Sequence, residues 1–233
     1  MIKLHFHFIK PYVIYTTGIP LPLLRSHKIY LLNFALLAFF YNMSGKIIII
    51  TAPSGAGKTS ITRYLLSKCP QLAFSVSAAT RPPRGTEKNG VDYYFLSEEE
   101  FQEKIEANAF VEWEMVYEGK YYGTLRSELE KIWAEGKVPI LDIDVKGAIH
   151  VQKQFPHTSL SIFVEPPSVE ELMKRLKSRG TESEENIAAR VSKAYYELTF
   201  SHSFNKVIVN HELEKACTET EEAIISFLNT EVC

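Results

Sequence analysis

Lys46-Ile-Ile-Ile-Ile-Thr51 leads directly into Ala52-Pro53-Ser54-Gly55-Ala56-Gly57-Lys58-Thr59, and a helical pattern follows from Ser60 to Lys68. A short unbroken apolar run suits a strand covered on both faces, as in a parallel sheet with helices on each side. Strand, glycine-rich loop and helix, in that order, are the setting of a phosphate-binding loop. Gly55 and Gly57 let the backbone curl so that several N–H groups point inward at anionic oxygens. The helix start adds partial positive charge. Lys58 supplies a mobile ammonium for the β- and γ-phosphates of a nucleotide, and the Thr59 hydroxyl is placed to ligate Mg²⁺. The strict pattern has glycine where this chain has Ala52, which is tolerable if Ala52 keeps φ negative and costly if it does not. The alternative is an ordinary glycine-rich turn.

Further strands are expected over Ala73–Ala78, Val138–Asp144, Ser159–Glu165 and Lys206–Asn210, with a strand pair over Phe110–Tyr122 turning at Glu118-Gly119. Helices are expected from Ser97 to about Ala107, over Leu125–Ala134 with Gly136 as stop, from Ser168 to Arg179-Gly180, from Thr181 onward, and over Glu212–Leu228. Ser97-Glu-Glu-Glu100, Ser168-Val-Glu-Glu171 and Thr181-Glu-Ser-Glu184 are capping boxes, and Ile187, Val191, Ala194 and Leu198 suit one helix face. Such alternation indicates an α/β fold built on a mostly parallel sheet. Two stretches break the rhythm: about 77–127 is rich in strands and loops, and about 170–200 is a charged helical pair. Both read as insertions over the mouth of the core, where loops carry function.

The 233 residues are 45% hydrophobic, enough to bury a core and exclude a disordered chain. The formal net charge of −2 argues against a heavily basic nucleic-acid binder. That sum conceals a split. Residues 1–42 hold no acid and four bases, Lys3, Lys10, Arg25 and Lys28, so all 28 acids lie in residues 43–233. The apolar run from Ile29 to Tyr41 is short of the ~20 residues that span a bilayer, and it resembles a signal h-region without a small-residue cleavage site. The reading adopted is that the working chain begins at Met43 and that 1–42 is a start-site artefact; an anchor or targeting segment is the alternative. Cys69, Cys217 and Cys233 are widely spaced, with no C-x-x-C, so neither a disulfide framework nor a structural zinc site is expected. A reducing, cytoplasmic setting follows.

Several side chains outside the loop point to anion chemistry. Arg81 and Arg84 flank Pro82-Pro83, which puts two guanidinium groups on a stiff loop suited to clamping a phosphate; a solvated basic loop is the alternative. Tyr93 and Tyr122 offer hydroxyls to the same phosphate, or serve as core aromatics. Asp142 and Asp144 alternate at a strand end near the phosphate loop, where α/β sheets bind ligands, or form a capping or salt-bridging pair. Arg175, Arg179 and Arg190 lie in the charged helical stretch and by themselves read as surface arginines.

From Met43 to about Phe227 the chain resembles the guanylate kinase family, whose members phosphorylate GMP with ATP. The resemblance is carried by Ala52-Pro-Ser-Gly-Ala-Gly-Lys-Thr59, Phe74-Ser-Val-Ser-Ala-Ala-Thr-Arg-Pro-Pro-Arg84, Asn89-Gly-Val-Asp-Tyr-Tyr-Phe95, Tyr121-Tyr-Gly-Thr124, Ile140-Leu-Asp-Ile-Asp144, Arg179-Gly-Thr-Glu182 and Val207-Ile-Val-Asn210. It implies a P-loop NTPase three-layer core over 43–76, 128–169 and 201–233. It also implies an inserted mixed-β GMP-binding region over 77–127 and a helical lid over 170–200. ATP is then held by Ala52, Pro53, Ser54, Gly55, Ala56, Gly57, Lys58 and Thr59, with Arg175 on its phosphates and Asn210 on adenine. Arg81, Arg84, Tyr93 and Tyr122 take the GMP phosphate. Thr59 and Asp144 organise Mg²⁺, and Lys58, Arg179, Arg190 and Asp144 form the catalytic set.

Around guanine the resemblance places Glu112, Ser77, Thr124 and Asp142. A carboxylate pairs with the N1–H and N2 amino donors of guanine, and a hydroxyl can donate to O6. Adenine lacks N1–H and would leave a buried carboxylate poorly paired, which gives strong discrimination. The stretch from Glu112 to Tyr122 is one residue longer than the family spacing. Placing the extra residue in the turn near Glu118 keeps Glu112 as base reader, with Glu114 on the same strand face as its rival. Lys146 stands where the family has Gln.

The implied partners are ATP and GMP, with no nucleic acid, no membrane unless residues 1–42 prove native, and a monomer or homodimer. Two other readings remain. Related domains bind proteins and have lost nucleotide chemistry, but here Lys58, Thr59, Asp142, Arg179 and Arg190 are all present. A kinase for a different nucleoside monophosphate would not need the Glu112, Ser77 and Thr124 set.

Overall fold

Four consecutive isoleucines serve two different cores. In the computed structural model Ile47–Thr51 forms a strand (β3) buried along its whole length. Ile48 and Ile50 pack into one hydrophobic cluster, while Ile47 and Ile49 pack into another. Side chains alternate across a strand, so an all-apolar strand must be covered on both faces. The structure describes residues 8–9, 12–13, 45–178 and 184–230.

The chain divides into two units, Met1–Ala38 and Phe39–Cys233. In the first, Phe8–Ile9 (β1) pairs antiparallel with Tyr12–Val13 (β2). Every other described element belongs to the second. Its main sheet combines β3 with Leu72–Phe74 (β4), Val138–Asp142 (β9), Ser159–Glu165 (β10) and Lys206–Val209 (β11). The order is β11-β10-β3-β9-β4, and every pairing is parallel. Lys58–Lys68 (α1), Val169–Ser178 (α5), Glu184–Leu198 (α6) and Leu213–Asn229 (α7) contribute Ile61, Leu172, Ile187 and Ile224 to one covering layer. Arg126–Ala134 (α3) and Val145–Gln154 (α4) contribute Leu129, Ala148 and Val151 to the other. The result is the three-layer α/β core that the alternating pattern predicts.

A second sheet carries the interrupting segment. Ala78–Ala79 (β5), Tyr94–Phe95 (β6), Phe110–Tyr117 (β7) and Lys120–Leu125 (β8) pair in the order β6-β5-β8-β7, mixing parallel and antiparallel contacts. Glu98–Glu106 (α2) closes it with a buried Phe101. The Ser97–Glu100 capping box forms in both directions. At the second box Ser168 Oγ accepts from the Glu171 N–H, and the third, at Thr181, begins outside the described residues.

Two differences from the sequence reading bear on the site. The strand expected over Ala73–Ala78 is split: Leu72–Phe74 joins the main sheet, and after Ser75-Val76-Ser77 the chain enters the second sheet. One apolar run thus ties the two sheets together. The strand expected to reach Asp144 stops at Asp142, because the Asp144 carboxylate accepts the Gly147 N–H and caps α4, a helix absent from the sequence map.

Candidate active site

Helix α1 begins at Gly57, whose φ of 106° lies in the left-handed region open to glycine, with no side-chain cap and no acid in its first turn. Unsatisfied N–H groups at a helix start, with no carboxylate to neutralise them, attract an anion. A Cβ at Gly57 would also collide with the Asn210 amide nitrogen, which donates to the Ala56 carbonyl at 2.7 Å. Asn108 is the one described non-glycine residue with positive φ, so Ala52 adopts the conformation that alanine tolerates.

A cavity of about 390 Å³ opens in front of this loop. One end is formed by Ala52, Pro53, Ser54, Lys58 and Thr59, and the other by Ser77, Tyr93, Glu112, Glu114, Tyr122 and Gly123 of the second sheet. Asp142 and Asp144 lie between them, and Arg190, Lys193 and Glu197 of α6 form a third wall. Residues i, i+3 and i+7 share a helix face, which is why one face of α6 presents all three.

Lys58 is ion-paired with Asp142, and its ammonium also reaches the Ile143 carbonyl at 3.5 Å. Asp144 keeps different company. A Cβ at Gly147 would lie 2.6 Å from Glu112 Oε2 and 3.4 Å from Asp144 Oδ1, so the two carboxylates meet over that glycine. The capping and the salt-bridging alternatives for the two aspartates are therefore both realised, one by each residue. They also divide the cavity: Asp142 belongs with the lysine of the phosphate loop and Asp144 with Glu112. The resemblance implies the other division, with Asp142 on the base and Asp144 on the metal.

Glu112 is 4% exposed and accepts the Thr124 hydroxyl at 2.6 Å. Burial pushes its carboxyl up to about 7, the charges of Asp144 and Glu114 add to the rise, and the Thr124 hydrogen bond opposes it. Glu112 pairs with Thr124 and Glu114 with Tyr122 across β7 and β8, with register shifts between Phe110 and Glu112 and between Met115 and Tyr117. The two irregularities bracket the stretch from Glu112 to Met115, within which Glu112 faces Thr124. Glu114 lines the same cavity, half-buried on the same face, as strand alternation predicts.

Arg81 is 5% exposed and does not line the cavity. It reaches it through Tyr122, whose hydroxyl accepts from Nε at 3.1 Å, and through Tyr93, whose ring lies 4.6 Å below the guanidinium. Arg84 is exposed on the loop above. Arg190 donates to the Ser54 hydroxyl at 2.9 Å, linking α6 to the phosphate loop. Arg175 donates to the Asn210 carbonyl at 2.9 Å, and Asn210 is buried behind the loop. Gly55, Ala56, Gly57, Thr124, Arg175 and Asn210 thus support the cavity from behind its wall. Arg179 lies outside the described residues.

The sequence reading missed Gly147, Lys193 and Glu197. Glu197 is buried against the cavity, with Lys193 Nζ at 3.6 Å. Its carboxyl is raised by burial, with Lys193 opposing and Asp144 adding. The spacing of Lys193 and Glu197 from Arg190 was the available signal.

A phosphate loop, a lysine paired with a strand-end carboxylate and a second sheet walling the same cavity define a P-loop phosphotransferase. The guanylate kinase family model matches residues 44–227. A guanylate kinase of Bacteroides thetaiotaomicron is 52% identical over 189 residues, covering 81% of this chain and 93% of that protein. One of Porphyromonas gingivalis is 50% identical over 184 residues, covering 78% and 98%. The crystal structure of guanylate kinase from Anaplasma phagocytophilum superposes with a TM-score of 0.63 at 28% identity, covering 81% of this chain and 88% of that one. The chain belongs to the guanylate kinase family.

Proposed function

We propose that this chain transfers the γ-phosphoryl group of ATP to GMP, ATP + GMP ⇌ ADP + GDP, in one in-line step without a covalent intermediate. The observation that carries this reading is the buried Glu112–Thr124 pair at the far end of the cavity from Lys58. A carboxylate held there accepts from guanine N1–H and the N2 amino group, and Ser77 borders the same space.

The GMP phosphate is assigned to Tyr93, Tyr122, Arg81 and Arg84. Lys58 and the N–H groups from Ser54 to Thr59 take the ATP phosphates. Asn210 and Arg175 are assigned the adenine side of the loop, which they brace. Arg190 and Arg179 are assigned to the transferred group, closing with the 170–200 lid. With the phosphates fixed by these groups, catalysis is positioning and charge stabilisation.

The donor chemistry at the loop fits Mg²⁺: the Thr59 hydroxyl and a nearby carboxylate offer oxygens to a hard cation. When bound, the ion neutralises charge on the β- and γ-phosphates. The neighbours described above favour Asp142 for this duty and Asp144 for guanine. Residues 1–42 are assigned no part in catalysis. The buried free thiols of Cys69 and Cys217 suit the reducing cytoplasm.

The test is a coupled assay of the full chain with ATP and Mg²⁺ and each of GMP, AMP, UMP and CMP. Turnover with GMP well above the others is expected. Faster turnover with AMP would refute the substrate, and none with any nucleotide would favour a binding module.

A further inference from the structure

Arg81 has little left to give a ligand. Its Nη1 donates to Glu87 Oε2 at 2.6 Å and to the Pro82 carbonyl at 3.1 Å. Its Nη2 donates to Glu87 Oε1 at 2.8 Å, and its Nε to the Tyr122 hydroxyl at 3.1 Å. A guanidinium carries five N–H groups, so a single one, on Nη2, remains. The plane is fixed from a further side by the rings of Tyr93 and Phe95, with centroids at 4.6 and 5.6 Å. Glu87 Oε2 also accepts the Arg84 N–H at 2.8 Å, so one carboxylate closes the loop that carries both arginines.

We infer that Glu87 is a positioning residue for the phosphate of GMP, holding Arg81 so that its remaining N–H and the Tyr93 and Tyr122 hydroxyls converge on one anion. This rests on the reading of the second sheet as the GMP site. A buried guanidinium needs a partner of opposite charge, and the planar fork of a carboxylate sets its direction as well as its charge. A phosphate gripping Arg81 by both terminal nitrogens would have to evict Glu87 and leave that carboxylate with the Arg84 N–H alone. Consistent with a firm pair, the Arg81 hydrogen bonds hold the Glu87 carboxyl down at about 2.

Glu87→Gln keeps the shape and breaks the fork, because its amide nitrogen opposes a guanidinium N–H. In steady-state kinetics the KM for GMP is expected to rise about ten-fold, with kcat and the KM for ATP within about two-fold of the parent. Glu87→Asp keeps the charge with a shorter reach and is expected to recover part of the loss. It also serves as the second variant should Glu87→Gln fold poorly. The same order is expected for GMP affinities by calorimetry.

An unchanged or lower KM for GMP in Glu87→Gln would overturn the inference, since a carboxylate that only competes with phosphate improves binding when removed. Equal losses for GMP, ATP and kcat with a lowered Tm would assign Glu87 to folding alone and overturn it too. If the parent chain fails to bind GMP, the reading of the site itself falls.

Discussion

Thr124 donates its hydroxyl hydrogen to Glu112 at 2.6 Å, and both residues are buried. One hydrogen bond does not offset the loss of water around that carboxylate, so it titrates near 7 rather than at its ordinary 4.5. If Glu112 reads guanine, the base needs the ionised form as acceptor. GMP binding is therefore expected to weaken as pH falls through about 7, while ATP binding holds. KM for each substrate measured from pH 5.5 to 8.5 checks this; parallel profiles for the two would contradict it.

The same burial predicts a conflict between stability and function. Between about 4.5 and about 7 the folded chain holds a proton on Glu112 that the unfolded chain has lost. Stability therefore falls as pH rises through that window, and above it the full cost, on the order of 3 kcal/mol, is present. Glu112→Gln removes the charge and can still accept from Thr124. Its Tm is expected to exceed the parent's at pH 8 and to match it near pH 4.5, while GMP turnover is largely lost. A Tm at pH 8 equal to or below the parent's would show that the burial cost is met elsewhere.

Gly147 sits in a helix, where alanine is normally the better residue by about 1 kcal/mol. Here a Cβ would press on Glu112 Oε2 at 2.6 Å. Gly147→Ala is therefore expected to keep the helix, displace the Glu112 carboxylate and raise the KM for GMP by about ten-fold or more, with the KM for ATP unchanged. Far-UV circular dichroism and two-substrate kinetics together check it.

The two aspartates make a paired test. If Asp142 serves the phosphate loop through Lys58, Asp142→Asn lowers kcat by roughly a hundred-fold and raises the Mg²⁺ concentration needed. If Asp144 stands beside Glu112, Asp144→Asn chiefly raises the KM for GMP. The opposite pattern would bear out the assignment that the resemblance implies.

The phosphate loop was legible because its chemistry is local: strand, glycines, Lys58 and Thr59 are contiguous, and their spacing fixes their geometry. The three-layer core was legible for a related reason, since a strand such as Ile47–Thr51 with no polar face admits cover on both sides. What escaped depends on contacts between distant segments. Helix α4 was hidden because the apolar run through Asp144 reads as strand until the Asp144 carboxylate is seen to cap Gly147. The neighbours of the two aspartates were hidden in the same way, because alternation places both on one face and says nothing of what each one meets. Glu87 sits among loop residues and gains meaning only from where Arg81 folds back.

Lys46 opens the apolar strand run and is fully buried. Its ammonium donates to three carbonyls at the end of α7, those of Phe227, Leu228 and Thr230, at 3.2, 2.9 and 2.7 Å. A helix C-terminus leaves its last carbonyls without partners and carries partial negative charge, and a buried cation answers both needs. Lys46→Met would fill the space but strip the charged donor from the Leu228 and Thr230 carbonyls, leaving Phe227 with the Thr230 N–H, at a cost of about 2–3 kcal/mol. In a chain of this size that corresponds to a fall in Tm of roughly 5–10 °C. Lys46 lies outside the cavity, so kcat and both KM values at 25 °C are expected to stay at parental levels. A loss of turnover without a loss of Tm would show that α7 is coupled to the site rather than merely anchored beneath it.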